Sequence, residues 1–229
     1  MILQLNPDDD DAEAKEIERI AGQHVDELRG ALAGQIDHIT GAGNVGEILT
    51  QLDTLPTQNL QEAMDSLLSA SAGRGVRMAA DNLGRVLMGV NWRLPNIAAM
   101  SWARGASYEL VHGITETSRR VIQDALGDWV RDGGPMGDLV SRLAPQFGEV
   151  RARAIAVTES TNGYREGSRI LYRDAGVRKA QILTNQDDHV CGICRPYHMM
   201  IVDIEEGVPG VGWPSFHVGC RCFIRPVIE

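Results

Sequence analysis

Hydrophobic residues recur at intervals of three and four through most of the first 175 positions of the chain. Over residues 12–39, acidic side chains occupy the intervening positions, which is the pattern of an amphipathic helix. Segments rich in glycine or proline separate further stretches of the same kind. The pattern predicts helices over 12–39, 45–52, 59–88 (one helix, or two interrupted near Gly73-Arg74-Gly75), 97–111, 115–130, 138–147 and 150–175.

The pattern changes after Gly176. Residues 179–184, 199–204 and 223–228 have the composition of short strands, and glycines and prolines separate the last two. A segment of this size with few apolar residues usually needs a disulfide or a metal ion to hold it together. The sequence therefore predicts an α+β fold, in which a mainly helical N-terminal part precedes a small, loop-rich, β-containing C-terminal region.

All four cysteines of the chain lie in this C-terminal region, in two close pairs. Two residues separate Cys191 from Cys194, which is the spacing of a zinc knuckle, and the second pair follows as His217-Val-Gly-Cys220-Arg-Cys222. In a reducing cytoplasm, paired cysteines are more often metal ligands than disulfides. The sequence therefore predicts one structural zinc ion that holds the C-terminal region together.

Zinc in a structural site takes four ligands, and these clusters offer five. Either the four cysteines bind and His217 supports them through a hydrogen bond, or the first pair binds with His217 and Cys220 while Cys222 stays outside. His198 is a further candidate ligand. The alternative to a metal is two pairs of buried or disulfide-bonded cysteines. A redox Cys-x-x-Cys motif is not favoured, because the sequence around it lacks the strand–helix pattern of thioredoxin. A catalytic zinc is not favoured either, because it would need an open fourth coordination position and a general base.

Polar residues near the two clusters are candidates for supporting roles. Thr158 and Glu159 are candidates for orienting the zinc loop, and Asp187 and Asp188 for hydrogen bonds to the amides of the first cysteine turn. Solvation of a helix or loop explains these two pairs equally well. Arg221, between two candidate ligands, is placed to offset thiolate charge.

Charge is divided unevenly along the chain. Residues 1–150 contain 12 Lys/Arg and 22 Asp/Glu, a net charge of −10, whereas residues 151–229 contain 10 and 9, a net charge of +1. An acidic first part argues against a protein that coats nucleic acid through a broad basic surface. The sequence contains no apolar run of eighteen residues and begins without the features of a signal peptide, so we expect folding in a cytoplasm and no membrane partner.

Several short motifs follow one another in a fixed order in the second half of the chain. They are Ile114-Thr115, Gly133-Gly-Pro-Met-Gly137, Ile155-Ala-Val-Thr158-Glu159, Tyr172-Arg-Asp-Ala-Gly176, Thr184-Asn-Gln-Asp187 before Cys191-Gly-Ile-Cys194, and the closing His217-Val-Gly-Cys220-Arg221-Cys222.

With these motifs, residues 112–226 resemble the phage Mu protein F-like domain of minor head proteins in tailed bacteriophages. The resemblance covers about half of the chain. Two positions depart from the family pattern: Val157 replaces the usual arginine before Thr-Glu, with Arg153 one turn earlier as a possible substitute, and Val218 replaces the proline after the histidine. The resemblance divides the chain into a helical region, 1–111, and a domain, 112–229, whose zinc-binding segment is 180–229.

The resemblance implies a structural, non-enzymatic protein of the virion, located inside the head near the portal. Its implied partners are the portal and the major capsid protein, with packaged DNA as a further contact, and it implies several copies per particle and host cytoplasm during assembly. One alternative is an enzyme related to ADP-ribosyltransferases, or a toxin-like domain, which would give Glu159 or a later glutamate a catalytic role. Another is a zinc-ribbon module for nucleic acid, although residues 180–229 carry three arginines against six acids.

Overall fold

The computed structural model describes residues 8–84, 93–184 and 191–228. Over these residues the chain forms six α-helices followed by a small sheet of three strands, which confirms the predicted α+β fold. The helices are α1 (Asp8–Thr40), α2 (Val45–Leu52), α3 (Gln58–Gly84), α4 (Arg93–Asp132), α5 (Met136–Leu143) and α6 (Glu149–Asp174), and the strands are β1 (Lys179–Leu183), β2 (Ile201–Asp203) and β3 (Phe223–Val227).

Helix α4 is one continuous helix where the sequence predicted two, 97–111 and 115–130. Its buried residues keep the same phase across the predicted gap, because Val111, Thr115 and Ser118 continue one stripe at intervals of four and three. The division that we predicted between residues 111 and 112 falls within this helix. Both halves of α4 contribute to the main helical core, through Ala103 in the first and Ile122 in the second.

Helix α3 is also continuous through the segment Gly73-Arg74-Gly75, where an interruption was one of the two predictions. The glycines allow the backbone of α3 to cross close to that of α6. A Cβ atom at Gly75 would lie 2.0 Å from the carbonyl oxygen of Tyr164, and one at Gly167 would lie 2.0 Å from the carbonyl oxygen of Ala72. The hydroxyl of Ser168 donates a 3.1 Å hydrogen bond to the carbonyl of Gly75 across the same contact. Small residues therefore let the two backbones touch, which fixes the position of α6 in the fold.

The sheet lies against the C-terminal end of α6. Its strand order is β2-β1-β3, and β1 pairs antiparallel with both neighbours. Ala180 is opposite Val202 and Ile182 is opposite Ile224, and all four side chains are buried in a core shared with Tyr172. The segment before β3 thereby passes alongside α6. Among the described residues, none of the helices combines the length and the apolar character that crossing a membrane requires.

Candidate metal centre

The five predicted ligands come together at the end of the sheet. Cys191 and Cys194 lie in the turn before a short 3-10 helix, His217 and Cys220 lie in a second turn, and Cys222 directly precedes β3. They form two groups of three that share Cys194, and the ligand atoms within each group lie within 4.8 Å of one another. All four cysteines are free thiols. The cluster could therefore hold a metal ion.

The separations between ligand atoms suit a tetrahedral ion. The sulfurs of Cys194 and Cys220 are 3.7 Å apart. A tetrahedral zinc ion with Zn–S bonds of about 2.3 Å separates two sulfurs by about 3.8 Å. The Nε2 atom of His217 lies 3.1 Å from the sulfurs of both Cys191 and Cys194. An ion would widen these two contacts by about half an ångström, because the corresponding S–N edge is about 3.6 Å.

The tautomer of His217 follows from its other nitrogen. Nδ1 lies 2.8 Å from the backbone carbonyl oxygen of Val218. Because a carbonyl oxygen can only accept, Nδ1 carries the hydrogen and Nε2 presents a lone pair to the two sulfurs. A hydrogen bond of this kind orients most metal-binding histidines. The arrangement suits His217 as a ligand, while Cys222 is a candidate in the second group, with Cys194 and Cys220.

The protonation of the thiols is uneven in the metal-free cluster. The hydrogen bond from the Cys222 thiol lowers the pKa of Cys220 to about 5 and raises the pKa of Cys222 itself. Burial raises the pKa of Cys194 to about 12, whereas the amide of Cys194, donating to the sulfur of Cys191 at 3.3 Å, lowers the pKa of Cys191. Each half of the site thus has one thiol whose pKa is lowered. Because Cys194 must lose a proton to bind, metal affinity depends on pH.

Helix α6 holds the second ligand turn through two threonines. The hydroxyl of Thr158 accepts a 2.9 Å hydrogen bond from the amide of Gly219 and donates to the carbonyl of Ala154 at 2.7 Å. The hydroxyl of Thr161 donates to the carbonyl of Cys220 at 2.6 Å. Thr158 was predicted to orient the zinc loop, but Thr161 was missed. Its spacing of three residues from Thr158, which places both on one face of a helix, was the available signal.

Glu159 acts on the same turn through its neighbour Asn162. The amide nitrogen of the Asn162 side chain donates to the Glu159 carboxylate at 2.9 Å. The Asn162 side-chain oxygen accepts hydrogen bonds of 3.3 Å from both the amide and the hydroxyl of Ser215, two residues before His217. Burial raises the pKa of Glu159. Glu159 therefore orients Asn162, and Asn162 holds the approach to the ligand turn.

Two further predicted residues, Arg221 and His198, bond to groups outside the ligand cluster. The guanidinium of Arg221 donates to the carboxylate of Glu18 in α1 at 2.7 Å. His198 belongs to neither of the ligand groups found among the described residues, and its Nδ1 accepts a 3.2 Å hydrogen bond from the amide of Thr184. The predicted supporting residues Asp187 and Asp188 lie outside the described residues.

An ion held by four of these five residues would have no open position for a substrate, which is the property of a structural site. The ring of Phe216 packs against the cysteines and lies 4.4 Å from the ring of Tyr197, so an apolar wall covers the cluster. No family model, curated protein or solved structure matches the chain.

Proposed function

We propose that the chain is a minor head protein of a tailed bacteriophage or prophage, a structural component inside the head near the portal that aids head assembly or DNA delivery. One observation carries the proposal. Two motifs of the resemblance lie about sixty positions apart in the sequence and meet in the fold, where Thr158 of the Thr-Glu motif accepts a hydrogen bond from Gly219 inside the closing His-Cys-Cys motif. Motifs that depend on each other in this way are expected to occur together as a set.

The proposed ion is zinc. The cluster offers thiol and imidazole donors in a compact arrangement, which is the donor set that zinc prefers in structural sites. Its proposed role is to hold two turns together in a region of short strands. Zinc there is part of the folding free energy of the C-terminal region rather than part of a reaction.

A structural role also suits the carboxylate of Glu159. An enzyme of the ADP-ribosyltransferase type would need this group to face a substrate. Here it accepts a hydrogen bond from Asn162, whose own oxygen is occupied by Ser215. Because the group is engaged in positioning the ligand turn, we propose no catalytic role for it.

Reconstituted head assembly tests the proposal. The chain is expressed with the portal and major capsid proteins of the same viral genome, and assembled heads are purified by sedimentation and treated with protease. We expect the chain to remain with the heads in a protected form. The matched comparison uses Cys194→Ser, which removes the ligand shared by both groups, and Thr117→Val, which alters a half-buried residue of α4 whose hydroxyl bonds within its own helix. Incorporation should fall for the first variant and stay unchanged for the second.

Failure to join heads and failure to bind the portal would together overturn the proposal. NAD-dependent modification of a partner protein would instead support the enzyme alternative. DNA binding that weakens steeply with salt, in the absence of head proteins, would support the nucleic-acid module.

A further inference from the structure

The backbone that follows the second ligand turn alternates between two faces. Cys220 and Cys222 point into the metal cluster, and Ile224 points into the core beneath the sheet. The residues between them point the other way, toward α1. Arg221 reaches Glu18, and the next two odd-numbered residues follow the same direction. The extended backbone thus carries metal ligands on one face and contacts to α1 on the other.

Three contacts join this second face to the first half of α1. Arg221 pairs with Glu18 at 2.7 Å, and Arg225 lies 3.7 Å from the carboxylate of Glu13. Between these two pairs, Phe223 packs with Ile17 of α1 in a small core that also includes Tyr164 of α6 and Leu183 of β1. The contact surface is therefore an apolar centre with a charged pair on each side.

Much of this contact is closed to water. Ile17 and Phe223 are both 0% exposed, Glu13 is 2% exposed and Arg225 is 6% exposed. Separating a buried ion pair leaves uncompensated charge in a poorly solvated place, and separating two buried apolar side chains exposes both to water. The segment 221–225 therefore contributes to the docking of α1 only while its odd-numbered residues are in register, in addition to contacts that do not depend on it, such as the 2.9 Å ion pair of Glu16 with Arg74 of α3.

We propose that metal binding reinforces this register, which the pairing of β3 with β1 also holds, and so strengthens the docking of the first half of α1. Cys220 lies one residue from Arg221, and its sulfur is 3.7 Å from that of Cys194, so an ion held by both cysteines would fix the backbone beside Arg221. A shift of one residue would turn Arg221, Phe223 and Arg225 away from α1. The metal centre and residues 13–25 of α1 thus form one coupled unit, in which loss of the ion loosens this part of the helix. This inference rests on metal binding by the cluster, but not on the virion assignment.

Amide hydrogen exchange, measured by mass spectrometry on the full chain with zinc bound and after chelation, tests the coupling. We expect residues 13–25 to exchange roughly ten-fold faster or more without zinc. Residues 103–126 of α4, which pack into the main helical core, should keep their protection.

A variant on the α1 side of the contact, with its control, tests the coupling without removing a metal ligand. Glu18→Gln removes charge on the α1 side and leaves every candidate ligand intact. With zinc still bound at one ion per chain, exchange over residues 13–25 should rise by about two- to five-fold, since the Glu18–Arg221 pair is partly exposed. The control is Asp26→Asn on the same helix, whose ion pair with Arg29 is internal to α1 and exposed. It should leave the exchange pattern unchanged.

Unchanged protection of residues 13–25 after zinc removal would overturn the coupling, and so would an equal loss of protection in every helix. In either case measured zinc binding would leave the metal proposal standing. A chain that binds no zinc at all would overturn both.

Discussion

The hydroxyl of Thr161 donates a 2.6 Å hydrogen bond to the backbone carbonyl of Cys220, 59 positions further along the chain. Both residues are buried, at 0% and 1% exposure, so water cannot replace this bond. Thr161 belongs to the helix that crosses α3 through Gly167, which is itself fixed against the backbone of Ala72. The packing of α6 against α3 therefore determines where the second ligand turn lies.

Replacing Thr161 with valine should lower the free energy of unfolding of the zinc-loaded protein by about 1–3 kcal/mol, because the Cys220 carbonyl is left buried without a donor. Urea denaturation measures the change. The control is Thr117→Val in α4, which removes an exposed bond within its own helix, and it should change the free energy by less than about 0.5 kcal/mol. Equal effects of the two substitutions would contradict the described role of Thr161.

Gly167→Ala tests the crossing of α3 and α6. The new Cβ atom would lie 2.0 Å from the backbone carbonyl oxygen of Ala72, and backbone cannot move aside as a side-chain end can. The helices must separate, so we expect a loss of about 3 kcal/mol in thermal or urea unfolding. Gly127→Ala in α4 is the matched control, because that position is exposed and has nothing within 4 Å among the described residues. It should stabilise the protein by about 0.5–1 kcal/mol, since alanine favours helix over glycine. A neutral Gly167→Ala would contradict the close crossing.

The helical periodicity and the ligand spacing were readable from the sequence because both are local properties. Cys191 and Cys194 must lie close together whatever the rest of the chain does, and the apolar stripe of α1 is set by its own residues. The glycines of α3 were ambiguous for a physical reason. A glycine weakens an isolated helix, but it also permits a neighbouring backbone to approach, and only the partner residues on α6 decide between the two.

Contacts between distant positions could not be predicted in the same way. Arg221 looked like a counter-charge for thiolates because it stands between two ligands in the sequence. In an extended segment, however, neighbouring side chains point to opposite faces, and Arg221 forms an ion pair with Glu18 on α1. Thr161 was overlooked because a threonine inside a helix has no ligand-like signature; its importance comes from a carbonyl that the fold brings to it.

The pKa of Glu159 predicts a distinctive pH dependence. Burial raises it, so the folded chain keeps this proton to a higher pH than the unfolded chain does. The resulting stability is fully present below the ordinary pKa of about 4.3 and is lost as the pH rises through the raised value. Glu159→Gln, which keeps an acceptor for Asn162, should therefore become more stable relative to the parent protein as the pH rises from about 4 toward neutrality. Urea denaturation at several pH values measures this difference.

Glu16 is expected to have the opposite effect on the pH dependence of stability. The hydrogen bond from Arg19 lowers the pKa of Glu16, and the charge of Arg74 acts in the same direction. Its contribution to stability is present above its ordinary pKa and is lost as the pH falls through the lowered value. Glu16→Gln should therefore be less stable than the parent near neutrality, with the difference disappearing in acid. Because any release of metal in acid affects parent and variant alike, identical slopes for the two variants would contradict the described environments of these carboxylates.

The identity of the four ligands is testable with Cys222 and His217. Since Nδ1 of His217 is held by the Val218 carbonyl and Nε2 faces two sulfurs, His217→Ala should weaken zinc binding by more than about a hundred-fold. In the metal-free cluster the Cys222 thiol lowers the pKa of Cys220, and we expect it to support Cys220 rather than to bind, so Cys222→Ser should keep one zinc per chain and lose about ten-fold in affinity at most. Competition with a chromophoric chelator at fixed pH measures both affinities, with Thr161 and Thr158 left intact. The reverse result, in which Cys222→Ser loses the ion and His217→Ala retains it, would establish the four-cysteine set and give His217 only a supporting hydrogen bond.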